Sequence, residues 1–306
     1  MIDKIAKADF KMEKIVSQKR IKGAEDRKVA SEIFDKQTLE TLYKLANQNY
    51  MTVLNGAIST GKEANVLKGV RDDNSLVAVK IYRIATSDFK KMHYYIQGDP
   101  RFNLRSNNKR RLINLWVNKE FRNLKRAKEA NVNVPEPIIA MNNVLLLEFI
   151  GDDLGNPAQT VKNQNPEDVD DFLDKLLIEI KKFVKGAHLV HGDLSTFNIL
   201  NKDEKPVIID VSQSVVLDHA IANELLERDI KTIANEFRKM GSSKSFDDIK
   251  EVLDFKLLNW KLFFWFSIFV NIIFIFHFYN FNNLFFTYYL LFGKFNNILS
   301  KYFLIC

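Results

Sequence analysis

The sequence predicts an α+β chain of two lobes, one strand-rich and one helix-rich, preceded by a helical extension. Three observations carry that expectation. Short β-rich runs cluster between Thr52 and Ile150, stretches with helical apolar spacing dominate from about 165 to 240, and the turn residues at 151–153 fall between them. At 306 residues, with 46% apolar and 27% charged, the chain can bury a substantial core.

The first 48 residues read as helical, with Leu39, Leu42, Tyr43 and Ala46 at helical spacing in a basic background. That block suits either a solvated cap or a contact surface. A strand-rich lobe is expected over 49–151. Its first three strands are TVLNGAI, ANVLKGV and LVAVKIY, separated by the turn compositions GKE and RDDNS. Residues 86–111 are polar and basic and read as a mobile loop. A helix from about Lys109 to Ala130 follows, its apolar stripe made of Ile113, Trp116, Val117, Leu124 and Ala127. Glu120 falls inside that stripe, where a carboxylate is costly unless a cation meets it. Two further strands are expected around Glu136–Met141 and Val144–Ile150, with the hinge near Ile150–Gly155.

The helix-rich lobe, 152–250, opens with Asn165 as N-cap, Pro166 at the first helical position and acidic residues in the first turn. Val169, Phe172, Leu176, Ile180, Phe183 and Val184 form that helix's apolar face. LVHGDLSTFNIL and KPVIIDVSQSV follow, and a last amphipathic helix spans roughly His219–Met240.

Phosphoryl transfer from ATP needs a phosphate cradle, a lysine on the phosphates, metal ligands and an acid/base beside the acceptor. Each has a candidate. Lys80 lies in the apolar run VAVKIY on the third strand, and it supplies the cation that Glu120 requires. His191, Gly192, Asp193 and Asn198 have the spacing of a catalytic loop, with an Asp base and an Asn metal ligand five residues later. Asp210, at the end of the run VII, takes the second metal position. Asn and Asp oxygens with phosphate oxygens suit Mg²⁺, with Mn²⁺ an alternative hard cation. The cradle is unusual. GAISTGKEANV holds only Gly56 and Gly61, and leaves Ser59, Thr60 and the backbone around Gly61 as donors, with Lys62 adding charge.

Together STGKEANV (59–66), VAVKIY (77–82), KEFRNL (119–124), VLLLEFIG (144–151), HGDLSTFNIL (191–200) and IIDVSQSV (208–215) resemble the RIO family of atypical serine protein kinases, in its type-1 branch and archaeal-sized form. The resemblance covers about residues 1–250. It implies a two-lobed protein-kinase-like fold without a conventional activation segment or peptide-docking subdomains. It implies that Lys80 contacts ATP phosphates, that Glu148 and Ile150 offer backbone groups to adenine, that Asp193 is the base, and that Asn198 and Asp210 hold Mg²⁺. It also makes Asp210 a candidate aspartyl-phosphate site, and implies a role in maturing the small ribosomal subunit, with its rRNA and proteins as partners. The net charge of +7 and pI near 9.2 agree with an acidic partner such as nucleic acid.

Two departures from ordinary protein kinases are visible. HGD lacks the arginine of H-R-D, and DVS replaces D-F-G, so regulation by activation-loop phosphorylation is not expected. Two rivals remain. A small-molecule kinase of the aminoglycoside or choline type shares HGDL-x-x-x-N, but STGKEANV and KEFRNL argue against it. A nucleotide-binding ribosome-assembly scaffold with incidental turnover differs in class, yet every catalytic position is filled.

Cys306 is the only cysteine, which excludes a disulfide framework and a thiolate metal site. The charged amino terminus lacks the apolar core of a signal peptide, and the body is expected to be cytoplasmic. From Phe255 the composition changes. Fourteen of 25 Phe residues lie there, and Leu262–Tyr279 is an uncharged apolar run of 18 residues, long enough for a membrane span. Asn271 and His277 interrupt it. Forty-three of the last 52 residues are Phe, Leu, Ile, Asn, Lys or Tyr, all with codons built from A and T alone. This favours translated AT-rich DNA, by frameshift or read-through, over a membrane anchor. A chain ended near Phe255 is expected to stay folded and bind nucleotide.

Overall fold

The computed structural model describes residues 34–103 and 108–253. The chain divides into units 1–253 and 254–306, and every described residue lies in the first. The readings of residues 1–33 and of the apolar tail therefore lie outside the described residues. Among those residues no helix is long and apolar enough to cross a membrane.

Helix α1, Lys36–Asn47, starts at Asp35, whose carboxylate accepts from Thr38 N at 2.8 Å. Strands β1 (Val53–Thr60), β2 (Ala64–Val70), β3 (Leu76–Tyr82), β4 (Pro137–Met141) and β5 (Val144–Glu148) form one antiparallel sheet in the order β1-β2-β3-β5-β4. The period of two sorts β3. Val77, Val79 and Ile81 join Leu42, Leu45 and Met51 in a buried cluster beneath α1. Ala78, Lys80 and Tyr82 line a cleft on the other face. Burial on both faces explains why LVAVKIY reads as a continuous apolar run.

Residues 86–111 are not simply a loop. Helix α2, Phe89–Ile96, is capped by Asp88 and buries Met92, Tyr95 and Ile96. Two consecutive lysines and a histidine among these positions hid a short apolar face. Helix α3, Lys109–Glu129, runs as expected and buries the whole predicted stripe together with Lys119, Glu120 and Asn123.

Past β5 the chain crosses through Phe149–Pro157 to a helical half. Helix α4, Val169–Lys181, begins later than expected, because Asp168 caps it by accepting from Asp170 N and Asp171 N at 3.1 and 3.0 Å. Asn165 and Pro166 precede it. Helix α5, Ala222–Lys239, starts three residues after His219, whose ring instead meets Gln97 O at 2.9 Å. Phe172 of α4 and Phe237 of α5 stack at 6.3 Å. Helix α6, Phe246–Leu253, was not anticipated. Between α4 and α5 lie the short strands β7 (Leu189–Val190), β8 (Ile199–Lys202), β9 (Lys205–Ile208) and β10 (Val215–Val216), with β6 (Gln159–Thr160) pairing to β8. The loops at 191–198 and 209–214 connect these strands and meet the sheet across the cleft.

Candidate active site

The cleft is about 480 Å³ and is walled by both halves. Lys80 on β3 is buried, and its Nζ stands 2.7 Å from Glu120 Oε1 and 3.0 Å from Asp210 Oδ1. The sequence argument that Lys80 and Glu120 need each other is thus met by geometry. Tyr82, two residues on, donates its hydroxyl to Glu120 Oε2, so both carboxylate oxygens are engaged. Burial would pull the Lys80 pKa down, but Asp210 and Glu120 outweigh it and hold the ammonium protonated.

Asp210 adopts left-handed backbone (φ 56°), which is uncommon outside glycine and is held here by the turn Val211–Gln213 that follows it. Its side chain is 43% exposed to the cleft. Desolvation raises its pKa, yet the Lys80 ammonium and the Ser212 hydroxyl, which donates at 2.8 Å, bring it down to about 2.

The loop 191–198 is organised from beneath. Asp229 on α5 is buried and accepts from Gly192 N at 2.7 Å and Leu194 N at 3.1 Å. His191 Nε2 meets Ile209 O at 3.0 Å. Gly192 has φ 79°, and a Cβ there would stand 3.2 Å from Gln213 O, so any other side chain would be strained and would crowd the second loop. The cation comes from elsewhere, since Arg228 of α5 donates to Gly192 O. Asp193 is exposed at the cleft floor, its Oδ2 accepting from Gln213 Nε2 at 2.8 Å. Asn198 commits its amide NH₂ to Asp193 O at 2.8 Å, which leaves Oδ1 as the atom able to hold a metal.

Ser59, Gly61 and Lys62 lie on the cleft wall, whereas Thr60 is exposed outside it. Gly61 N–H already donates to Ala64 O at 2.9 Å, closing the β1–β2 turn, so that amide is not a free phosphate donor. Glu148 N–H donates to Glu136 O at 2.8 Å, so any contact of Glu148 with adenine runs through its carbonyl. Ile150 O accepts from Ala158 N at 3.0 Å, while Ile150 N–H has no partner among the described residues. Lys80, Glu120, Glu148, Ile150, Asp193, Asn198 and Asp210 therefore share one cleft.

Sequence reasoning missed Asp229, Lys119, Asn123, Tyr82 and Gln213. Asp229 was findable: it sits on the apolar face Leu225, Leu226, Ile230 and Ile233, the same signal that exposed Glu120. Lys119 and Asn123 are also buried on α3. Lys119 Nζ donates to Ser212 O at 2.9 Å and to Ser214 O, with no carboxylate partner among the described residues. Asn123 Nδ2 donates to Val211 O and Ser214 O at 2.9 and 3.0 Å. Gln213 gave no signal, being one polar residue in the run SQS.

Burial lowers the Lys119 pKa to about 7, Asp99 and Glu120 pulling it up and Arg101 down. An unfolded lysine keeps its proton to about 10.5, so between about 7 and 10.5 the unfolded chain binds more protons and stability rises with pH. Relative to Lys119→Met, the wild type should gain stability steadily across that window in urea titrations. A difference independent of pH contradicts the assignment.

A lysine–glutamate pair on a sheet and helix, facing an Asp/Asn loop and a second Asp across a cleft, defines a protein-kinase-like phosphotransferase. Comparison with known proteins narrows the class. Residues 65–249 match the RIO domain family. The RIO-type serine/threonine-protein kinase Rio1 of Methanocaldococcus jannaschii is 43% identical over 251 residues, covering 82% of this chain and 86% of that one. The Haloferax volcanii Rio1 is 40% identical over 234 residues, covering 76% and 79%. Human RIO1 is 35% identical, and the match spans 42% of its length. Among solved structures, the Rio2 kinase–ADP/Mg²⁺–phosphoaspartate complex of Chaetomium thermophilum matches with a TM-score of 0.51 at 24% identity, covering 70% of this chain and 65% of that one, and it supports the fold alone. This chain belongs to the RIO family, in its type-1 branch, and is an atypical serine/threonine-protein kinase.

Proposed function

We propose that the chain transfers the γ-phosphoryl group of ATP to a protein hydroxyl or to water, and that it works in maturation of the small ribosomal subunit, with ATP turnover as a release switch. The observation that carries the chemical part is the convergence of Lys80, Asp193, Asn198 and Asp210 on one cleft. Lys80 pairs with the non-transferred phosphates and Glu120 holds it in place. Asp193 takes the acceptor proton. The peptide edge at Glu148–Ile150 receives the adenine.

The donor set fits Mg²⁺. Asn198 Oδ1 and the Asp210 carboxylate are hard oxygen ligands, and among the described residues no cluster of three or more His, Cys, Asp or Glu forms a separate cation site. Two protein ligands plus phosphate oxygens match the usual Mg²⁺ arrangement at nucleotides, and Mn²⁺ could substitute. Held there, the ion would supply positive charge that offsets the charge of the phosphates.

The net charge of +7 supports an rRNA-containing partner. Asp210, whose carboxylate opens to the cleft beside Lys80, is the covalent acceptor in this reading. The test is incubation of labelled ATP with purified small-subunit particles, following label on serine, on aspartate and in free phosphate. Asp210→Asn should abolish cation-dependent turnover and any hydroxylamine-sensitive label, because hydroxylamine cleaves acyl phosphates and spares phosphoserine. Sensitive label persisting in the variant would move the acyl phosphate to another carboxylate.

A further inference from the structure

The side chain of Gln213 is poorly explained as a stabilising group. It is 6% exposed, it donates Nε2 to Asp193 Oδ2 at 2.8 Å, and its Oε1 has no hydrogen-bond partner among the described residues. A buried acceptor left unpaired destabilises the fold, and an apolar side chain of the same length would avoid that loss. Turning the amide round would set Oε1 against the Asp193 carboxylate, so Asp193 itself dictates the orientation. The arrangement costs stability at one atom and delivers a donor to one oxygen of an exposed carboxylate.

We propose that Gln213 is a positioning residue for phosphoryl transfer, holding the Asp193 carboxylate by Oδ2 so that Oδ1 is the oxygen presented to the acceptor; this rests on Asp193 being the base. An exposed aspartate otherwise samples several rotamers. Gln213 restricts it from the buried side. Asp193 Oδ1 has no partner among the described residues, as an oxygen reserved for an incoming hydroxyl or water requires.

The element carrying Gln213 is itself held. It is the last residue of the turn Val211–Gln213, directly after Asp210. Lys119 and Asn123 of α3 bind the carbonyls of Val211, Ser212 and Ser214. One turn therefore fixes both the Asp210 backbone and the donor that orients Asp193. The close approach of Gln213 O to Gly192 keeps the two loops in register.

The experiment is a double-mutant cycle read by single-turnover phosphoryl transfer, nucleotide affinity and thermal melting. Gln213→Met should slow transfer by about 10–100-fold, the usual range for a group that orients a reacting one. Nucleotide Kd should stay within about twofold, and the melting temperature should be unchanged or raised. In an Asp193→Ala background, adding Gln213→Met should cost nothing further. If the methionine variant does not fold, Gln213→Glu keeps the shape and replaces the donor, and should slow transfer at least as much. The proposal is overturned if both folded variants transfer at the wild-type rate, if the losses multiply in the double variant, or if transfer falls only in step with nucleotide affinity and melting temperature. An inactive Asp193→Ala beside a fully active Gln213→Met would remove Gln213 alone. A fully active Asp193→Ala would remove the base assignment, and the role of Gln213 with it.

Discussion

Lys80→Met should lower stability by about 3–5 kcal/mol and abolish phosphoryl transfer. The stability loss follows from Glu120, which is 1% exposed and would keep only the Tyr82 hydroxyl as a partner. Breaking a buried ion pair from one side leaves an uncompensated charge, and measured costs lie in that range. Removing both partners should behave differently. Lys80→Met with Glu120→Met takes away the charge as well as its counter-ion and should recover much of the stability while staying inactive. Urea unfolding of the single and double variants measures this directly. Equal stability of wild type and Lys80→Met would mean that Glu120 is satisfied without the lysine.

Asp229→Ala is expected to have the second large effect. It removes the carboxylate bonded to Gly192 N and Leu194 N, both in a buried setting. Burial raises the Asp229 pKa, against the pull of the neighbouring His191, of the two amides and of Arg228. Two buried amides left unpaired cost about 1–3 kcal/mol each. The fold should therefore lose about 2–6 kcal/mol. Turnover should fall too, because the loop that presents Asp193 loses its anchor. Asp229→Asn retains an acceptor for one amide and should fall between. A wild-type melting temperature for Asp229→Ala would show that the loop holds itself.

Much of this was legible in the sequence because the relevant physics is local. The β-rich runs and the α3 stripe placed the sheet and its helix, and a carboxylate on an apolar stripe announced the Lys80–Glu120 pair before any geometry was known. The motif spacing singled out Asp193, Asn198 and Asp210, from two loops that meet at one cleft. What stayed hidden depends on tertiary contact. Helix α2 is short and lysine-rich, and only burial of Met92, Tyr95 and Ile96 against the rest of the fold makes it a helix. The start of α4 was misplaced because Asp168 outcompetes Asn165 for the cap, a choice between two good capping residues that local pattern cannot make. Lys119 and Gln213 act through backbone carbonyls and one side chain contributed by segments 20 to 95 residues away. No spacing rule reports such a contact.

In place of an arginine beside Asp193, this chain has a glycine with positive φ, packed against the turn that follows Asp210. The two loops are held by fixed internal groups, Asp229 below one and Lys119 with Asn123 below the other. These anchors are all groups of the unmodified chain.

The central claim is that Asp193 carries the chemistry while other residues bind the nucleotide. It is tested most directly by one rapid-quench single turnover of γ-labelled ATP with wild type and Asp193→Ala. The account predicts nucleotide affinity within about threefold of wild type and a transfer rate lower by about 10²–10⁴. Transfer by Asp193→Ala at the wild-type rate, with nucleotide saturating, would contradict it.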